Sequence, residues 1–197
     1  MERAVPYLRN TWYVAAWSDE IGDGLFARKL AGEALLFYRT AGGRLVALAD
    51  RCPHRFVPLH LGKRHGDVIE CAYHGLRFGP DGQCVLNPNS EHIPSKARVR
   101  SYPVVERHRL VFVWMGQPEL ADDALVPDFA FMDDPALATT TGYIYGNSHY
   151  MLMATTSWTC RTRSTFMPTR WARRRWRARD RYDQTLLLDQ RASLRNR

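Results

Sequence analysis

Two short runs constrain this chain more than any other feature: Cys52-Pro53-His54 and, sixteen residues later, Cys71-Ala72-Tyr73-His74. Thiols and imidazoles alternate, as C-x-H and then C-x-x-H. Each run offers one sulfur and one nitrogen, so two loop tips can clasp a metal centre from opposite sides. A [2Fe–2S] cluster of mixed ligation takes this set, with both sulfurs on one iron and both nitrogens on the other. A single zinc also accepts two Cys and two His, but its ligands usually come as C-x₂₋₄-C and then H-x₃₋₅-H. Pro53 inside the first run and Gly75 after the second oppose helix and favour tight loops. A third reading is chance placement of core Cys and surface His. Ligand order and context favour the cluster.

The first 117 residues read as short strands, expected at Trp12–Trp17, Ala34–Tyr38, Leu45–Ala49, Val68–Ala72, Val99–Val105 and Leu110–Trp114. Turn signals such as Gly22-Asp23-Gly24, Gly42-Gly43 and Gly79-Pro80-Asp81-Gly82 separate them. Glu33–Arg39, then Thr40–Gly43, then Arg44–Leu48 is a hairpin pattern. Many short strands with little helical periodicity predict a mainly β fold, an antiparallel sandwich or small barrel. The two metal-binding runs then fall at neighbouring loop ends. Leu86-Asn87-Pro88-Asn89 reads as a third loop over them or as an ordinary surface turn.

Cys52-Pro53-His54-Arg55, Pro58-Leu59 and Cys71-Ala72-Tyr73-His74-Gly75-Leu76 together resemble the Rieske domain of non-haem iron oxygenases. Within that family the chain is most similar to the vanillate and dicamba O-demethylase group. Supporting stretches are Trp12–Ala16, Gly82–Pro88 and Ser101–Arg107. Val57 and Tyr73 stand where cytochrome-complex Rieske proteins carry a disulfide, so the chain resembles the oxygenase or ferredoxin type. The resemblance runs from about residue 8 to Met153.

It implies a Rieske-type antiparallel β-sandwich with a cluster-binding loop subdomain. Cys52 and Cys71 would bind the buried iron, and His54 and His74 the outer one. It also implies a flavin and iron–sulfur reductase as electron donor and a mononuclear Fe(II) as acceptor. That iron would insert oxygen into a methyl ether or similar aromatic substrate. Intact relatives form homotrimers in which the cluster faces the next subunit's iron, and this chain lacks most of that interface. A stand-alone ferredoxin-like carrier is the alternative.

The family's catalytic domain opens with a strand followed by a helix bearing Asp-Asn-Leu-x-Asp-x-x-His-x-x-x-x-His, whose two His and a later Asp hold the mononuclear iron. Thr141–Met153 fits the strand, but Ala154–Phe166 departs from the helix and no His follows His149. No catalytic residue is therefore assigned. Three parts are expected: a Rieske domain over 1–117, an acidic, Pro-containing linker plus that strand over 118–153, and a tail over 154–197.

The net charge of +8 belongs to the tail, which holds 12 Arg, no Lys and three Asp, leaving 16 basic and 17 acidic residues before it. An Arg block containing Trp171 and Trp176 imitates a nucleic-acid-binding arm. A shifted reading frame explains it better. Trp158-Thr159 read from the third base gives Asp, and Phe166-Met167 gives His or Tyr, in register with the family's helix. Such a tail is expected to be disordered, since like charges repel and no apolar periodicity offsets the ordering entropy.

No run of about 18 apolar residues and no signal-like N-terminus occurs, so no membrane partner is expected and the cytoplasm is the expected compartment. Four Cys there read as metal ligands or buried thiols. Cys84 reads as a packed strand residue and His60, between two Leu, as a hydrogen-bonded, partly buried His. His65, His92 and His108 read as solvated surface residues, and Arg55 as a surface Arg or a donor near the cluster.

Overall fold

The computed structural model describes residues 7–143, 145, 146 and 148–155. Its strands are β1 (Thr11–Trp17), β2 (Phe26–Leu30), β3 (Glu33–Arg39), β4 (Leu45–Ala49), β5 (Lys63–His65), β6 (Val68–Glu70), β7 (Arg77–Phe78), β8 (Cys84–Leu86), β9 (Ser101–Tyr102), β10 (Val104–Arg107) and β11 (Leu110–Met115). They form three antiparallel sheets in the orders β1-β11-β10, β2-β3-β4-β9 and β5-β6-β7-β8. The fold is the expected mainly β architecture.

The layering follows from alternation along β3 and β4. Leu35, Phe37 and Ala47 face one core with Val111, Val113 and Met115 of β11, which makes the sandwich. Leu36, Tyr38, Val46 and Leu48 point the other way, against Cys52, Leu59, Ile69, Cys71 and Phe78 of the β5–β8 layer. Side chains two apart share a face, so a strand covered on both sides must be apolar throughout. Ala34-Leu35-Leu36-Phe37-Tyr38 is such a run, with the last four residues at 0% exposure. The β3–β4 hairpin pairs Leu35 with Ala49 and Arg39 with Leu45, as its sequence predicts.

β11 is also covered twice. Its second face, Leu110, Phe112 and Trp114, packs with Trp12 and Val126, and Ala121, Phe129 and Met132 border that cluster. The stretch expected to be a linker from residue 118 is therefore a strap lying on the outer sheet, in the same compact unit, which runs to Thr141. Trp12 Nε1–H donates to the Asp122 carbonyl at 2.8 Å, and Trp114 Nε1–H to the Gln117 carbonyl at 2.8 Å. Pro118 opens a 3-10 turn, where its missing N–H costs no hydrogen bond, and Pro127 lies between two such turns, so neither prevents this packing.

Two further expectations need correction. The strand predicted over Val99–Val105 is split at Pro103: β9 pairs with β4, whereas β10 pairs with β11. Proline lacks the N–H that a central ladder needs, and the chain changes sheets there. Thr141–Met153 is not a strand. No ladder partner meets it among the described residues, and residues 150–155 are helical, leaving Met151 and Met153 exposed. From Gly142 the chain belongs to a second unit. Most of the expected tail, residues 156–197, lies outside the described residues.

Candidate metal centre

The two runs form loops of matching geometry. In the first, the Cys52 N–H donates to the Val57 carbonyl at 2.9 Å and the Phe56 N–H to the Cys52 carbonyl at 2.9 Å. In the second, the Cys71 N–H donates to the Leu76 carbonyl at 2.8 Å and the Gly75 N–H to the Cys71 carbonyl at 3.0 Å. Both use the same offsets, although one run is C-x-H and the other C-x-x-H. The residue four after each Cys is left-handed, with φ of 60° at Phe56 and 71° at Gly75. Glycine adopts that conformation freely, whereas Phe56 bears a cost of about 1–2 kcal/mol.

The matched loops set the candidate ligands in two pairs, thiol beside thiol and imidazole beside imidazole, and no three of them converge on one point among the described residues. Cys52 and Cys71 are each 2% exposed and join the core beneath the loops. His54 is exposed and His74 half-buried, with ring centroids 4.7 Å apart. Sulfur lies inside and nitrogen at the rim. Burial pushes the Cys52 thiol up, and the neighbouring Cys71 adds to the effect, while the backbone N–H groups of His54 and Arg55 oppose it. A buried thiol pair of this kind is costly to ionise unless a metal takes the charge. This donor set fits a [2Fe–2S] cluster, with soft sulfur on the protein side and neutral imidazole on the solvent side.

Pro88 packs over the second loop: a Cβ at Gly75 would lie 3.3 Å from the Pro88 ring. Asn87 and Asn89 line a cavity of about 440 Å³ with Pro53, His54, His74 and Leu76. The Leu86–Asn89 stretch is thus a third loop beside the imidazoles.

Around this centre, Cys84 is buried in β8, its Sγ–H donating to the Leu86 carbonyl at 3.4 Å, as a packed strand residue should. His60 is hydrogen-bonded as expected, its Nδ1–H donating to Asp50 Oδ2 at 2.5 Å. His65 is at the surface, with Nε2 3.0 Å from Glu70. Arg77 holds the Glu70 carboxyl below its usual range through a 2.7 Å hydrogen bond. His92 and Arg55 are exposed. His108 is not a solvated residue: its side chain is 15% exposed, with Nδ1 2.6 Å from Asp133 and Nε2 3.3 Å from Asp128 on the strap. Those carboxylates lie 20 and 25 residues away in the chain, beyond any local pattern.

Three contacts had no legible sequence signal. Tyr73 lies against His74, with centroids 3.9 Å apart. The Arg51 guanidinium lies 3.8 Å from the Phe56 ring centre. Asp50 receives His60 through both of its oxygens.

Comparison with known proteins agrees with this geometry. Residues 11–103 match the family described as Rieske [2Fe-2S] domain. The chain is 49% identical over 148 residues to the toluene-4-sulfonate monooxygenase system iron-sulfur subunit TsaM1 of Comamonas testosteroni, covering 75% of this chain and 43% of that protein. It is 43% identical over 148 residues to the dicamba O-demethylase oxygenase component of Stenotrophomonas maltophilia, covering 75% and 44%. Among solved structures, dicamba monooxygenase bound to dicamba superimposes with a TM-score of 0.64 at 44% identity, covering 67% of this chain and 40% of that one. The chain spans less than half the length of these relatives. The match selects the two-iron reading over zinc, and the expected resemblance holds: this chain carries a Rieske [2Fe–2S] domain of the kind found in oxygenase components.

Proposed function

We propose that Cys52 and Cys71 hold one iron as thiolates, that His54 and His74 hold the other as neutral imidazoles, and that the domain relays single electrons. A Rieske cluster supplies one-electron chemistry at roughly −150 to +300 mV. The observation carrying this reading is the pair of matched loops that bury both sulfurs while both imidazoles stay at the rim. The Cys side chains anchor and insulate, and the core around Leu59, Ile69 and Phe78 keeps water from the sulfurs. His54 and His74 form the edge through which an electron can leave, since tunnelling partners must approach where the protein is thinnest.

The donor in this proposal is a flavin and iron–sulfur reductase, and the acceptor a mononuclear iron of an oxygenase acting on an aromatic compound. The relatives' names, a toluene-4-sulfonate monooxygenase system iron-sulfur subunit and a dicamba O-demethylase oxygenase component, favour an oxygenase acting on an aromatic compound, and the donor is what the family resemblance implies. The frame-shifted reading of residues 154–197 remains a proposal about the gene.

Anaerobically purified protein should contain about two irons and two sulfides per chain and give a rhombic EPR signal on reduction. Stoichiometric zinc without iron would sink the ligand assignment. Reduction by a competent reductase without O₂-dependent turnover is expected of residues 1–197. Oxygenase activity from this chain would require an iron site beyond the four residues named, and would overturn that part of the reading.

A further inference from the structure

The inner brackets of the two loops match, but their bases are closed differently. At the second loop, Glu70 and Arg77 are partners in the β6–β7 ladder, reinforced by the 2.7 Å Arg77 Nε–H to Glu70 hydrogen bond. At the first, β4 ends at Ala49 and the chain returns through a 3-10 turn at Leu59–Leu61, so residues 50 and 60 share no backbone ladder. A side chain takes the ladder's place. Asp50 Oδ1 accepts the His60 backbone N–H at 2.8 Å, and Asp50 Oδ2 accepts Nδ1–H at 2.5 Å. The Asp50 backbone N–H in turn donates to the Ala34 carbonyl at 2.9 Å, tying the brace to the start of β3.

Burial makes this contact more than a surface ion pair. The Asp50 side chain is 4% exposed, and the His60 side chain 35%. Both oxygens of a buried carboxylate are engaged by one residue, ten positions away. Hydrogen bonds to a buried charged group are among the stronger ones, and leaving such an acceptor unpaired is costly. Between the two ends of the brace lie Cys52 and His54 together with the strained Phe56. Any widening of the base would therefore displace His54 relative to His74, whereas the second loop would keep its ladder.

We propose that the Asp50–His60 pair is a positioning brace for the cluster, closing the base of the first loop and so fixing where His54 meets the metal. This rests on the ligand reading above. The pair touches no reacting atom; it acts through the loop.

The test uses the full 197-residue chain, loaded with its cluster under anaerobic conditions, with release of iron to a ferrous chelator and the EPR g-values as readouts. His60→Ala should release iron roughly ten-fold faster than the parent, with displaced g-values. His60→Asn, whose side-chain N–H can replace Nδ1–H, should restore the parental rate and spectrum. Asp50→Asn keeps an acceptor for the His60 backbone N–H and should fall between them. Val126→Ala, on the opposite side of the sandwich, should lower the melting temperature without moving the g-values. If the parent carries the cluster and His60→Ala matches it, or if Val126→Ala reproduces the changes of His60→Ala, the brace is overturned. Failure of His60→Asn to improve on His60→Ala also counts against it. A parent without a Rieske signal overturns the ligand reading itself, and the brace with it.

Discussion

β3 and β11, seven and six residues long, are buried on both faces, whereas the strands of the cluster-bearing sheet are only two or three residues long. The sandwich draws on large side chains such as Trp114, Phe37 and Phe112, at 1% exposure or less. The cluster-bearing layer has Ile69, Phe78 and Leu59 at its centre, and two of its buried positions are the candidate ligands Cys52 and Cys71. Burial stabilises roughly in proportion to apolar area removed from water, and short ladders add little without a hydrophobic face. The sandwich can therefore stand on its own packing, while the β5–β8 layer leans on β3 and β4 from below and, in the proposed reading, on metal binding from within.

Cys71→Ala should separate the two regions most sharply. Loss of the cluster is expected to be complete, because Cys71 is one of the two thiolates in the proposed ligand set. Limited proteolysis should then cut between residues 50 and 100 while the tryptophan fluorescence of the sandwich persists. If both regions unfold together in the variant, the proposed independence of the sandwich is wrong.

Trp114→Ala probes the opposite side. Its indole is 1% exposed and meets Trp12 edge-on with ring centroids 5.3 Å apart. A destabilisation of about 3–5 kcal/mol is expected in chemical denaturation. Protein that remains folded should keep parental EPR g-values, and a changed spectrum would show that the sandwich core sets the cluster geometry after all.

Gly82→Ala tests the seam between the layers. Gly82 has φ +79°, and a Cβ there would lie 2.0 Å from the Val99 carbonyl oxygen. The Val99 N–H also donates to the Gly82 carbonyl at 2.8 Å, so the two backbones cannot separate freely. Left-handed strain and overpacking together should cost about 3 kcal/mol, read from the denaturation midpoint. Unchanged stability would mean that the seam is looser than its geometry implies.

A smaller effect is expected from Arg39 and Glu106, which tie β3 to β10 through two hydrogen bonds of 2.9 and 2.8 Å. The Arg39 guanidinium holds the Glu106 carboxyl below its usual value of 4.5, against a smaller opposing effect of burial. A lowered folded-state value means the stabilisation is fully present above the unfolded carboxyl range and is lost as pH falls through the folded value. The melting-temperature gap between parent and Glu106→Gln should thus close below about pH 4. Solvent screens this half-exposed pair, so the gap itself should be modest. A gap that widens in acid would contradict the sign.

His65→Ala should have the least effect of all. Its ring bonds Glu70 at the surface, and the Cys71 loop retains Arg77 as that carboxylate's second partner. The visible and EPR spectra should match the parent, and loss of the cluster would place a ligand where none is proposed.

Local pattern made much of this legible. The β3–β4 hairpin and both candidate metal-binding runs are legible because the residues that define them are close in sequence. β2 and β5 carry no strand signal of their own: Phe26–Leu30 and Lys63–His65 carry Arg, Lys and His on edge positions, and their pairing is supplied by the neighbouring strand. The strap over β11 has the composition of a linker, dominated by Ala, Asp and Pro. Its packing depends on a few separated side chains, among them Val126 and Phe129.

What the amino-acid order determined by itself is the proposed donor set, with Cys52, His54, Cys71 and His74 in alternating order on tight loops, and the apolar runs that become doubly covered strands. Tertiary structure alone decided that the unequal runs adopt the same loop, that sulfur lies inside and imidazole outside, and that Asp50 closes one loop while a ladder closes the other. The physical reason is range. Metal-donor chemistry and backbone preference are properties of a few consecutive residues, whereas burial and the satisfaction of a carboxylate depend on which distant segments the sheets bring together.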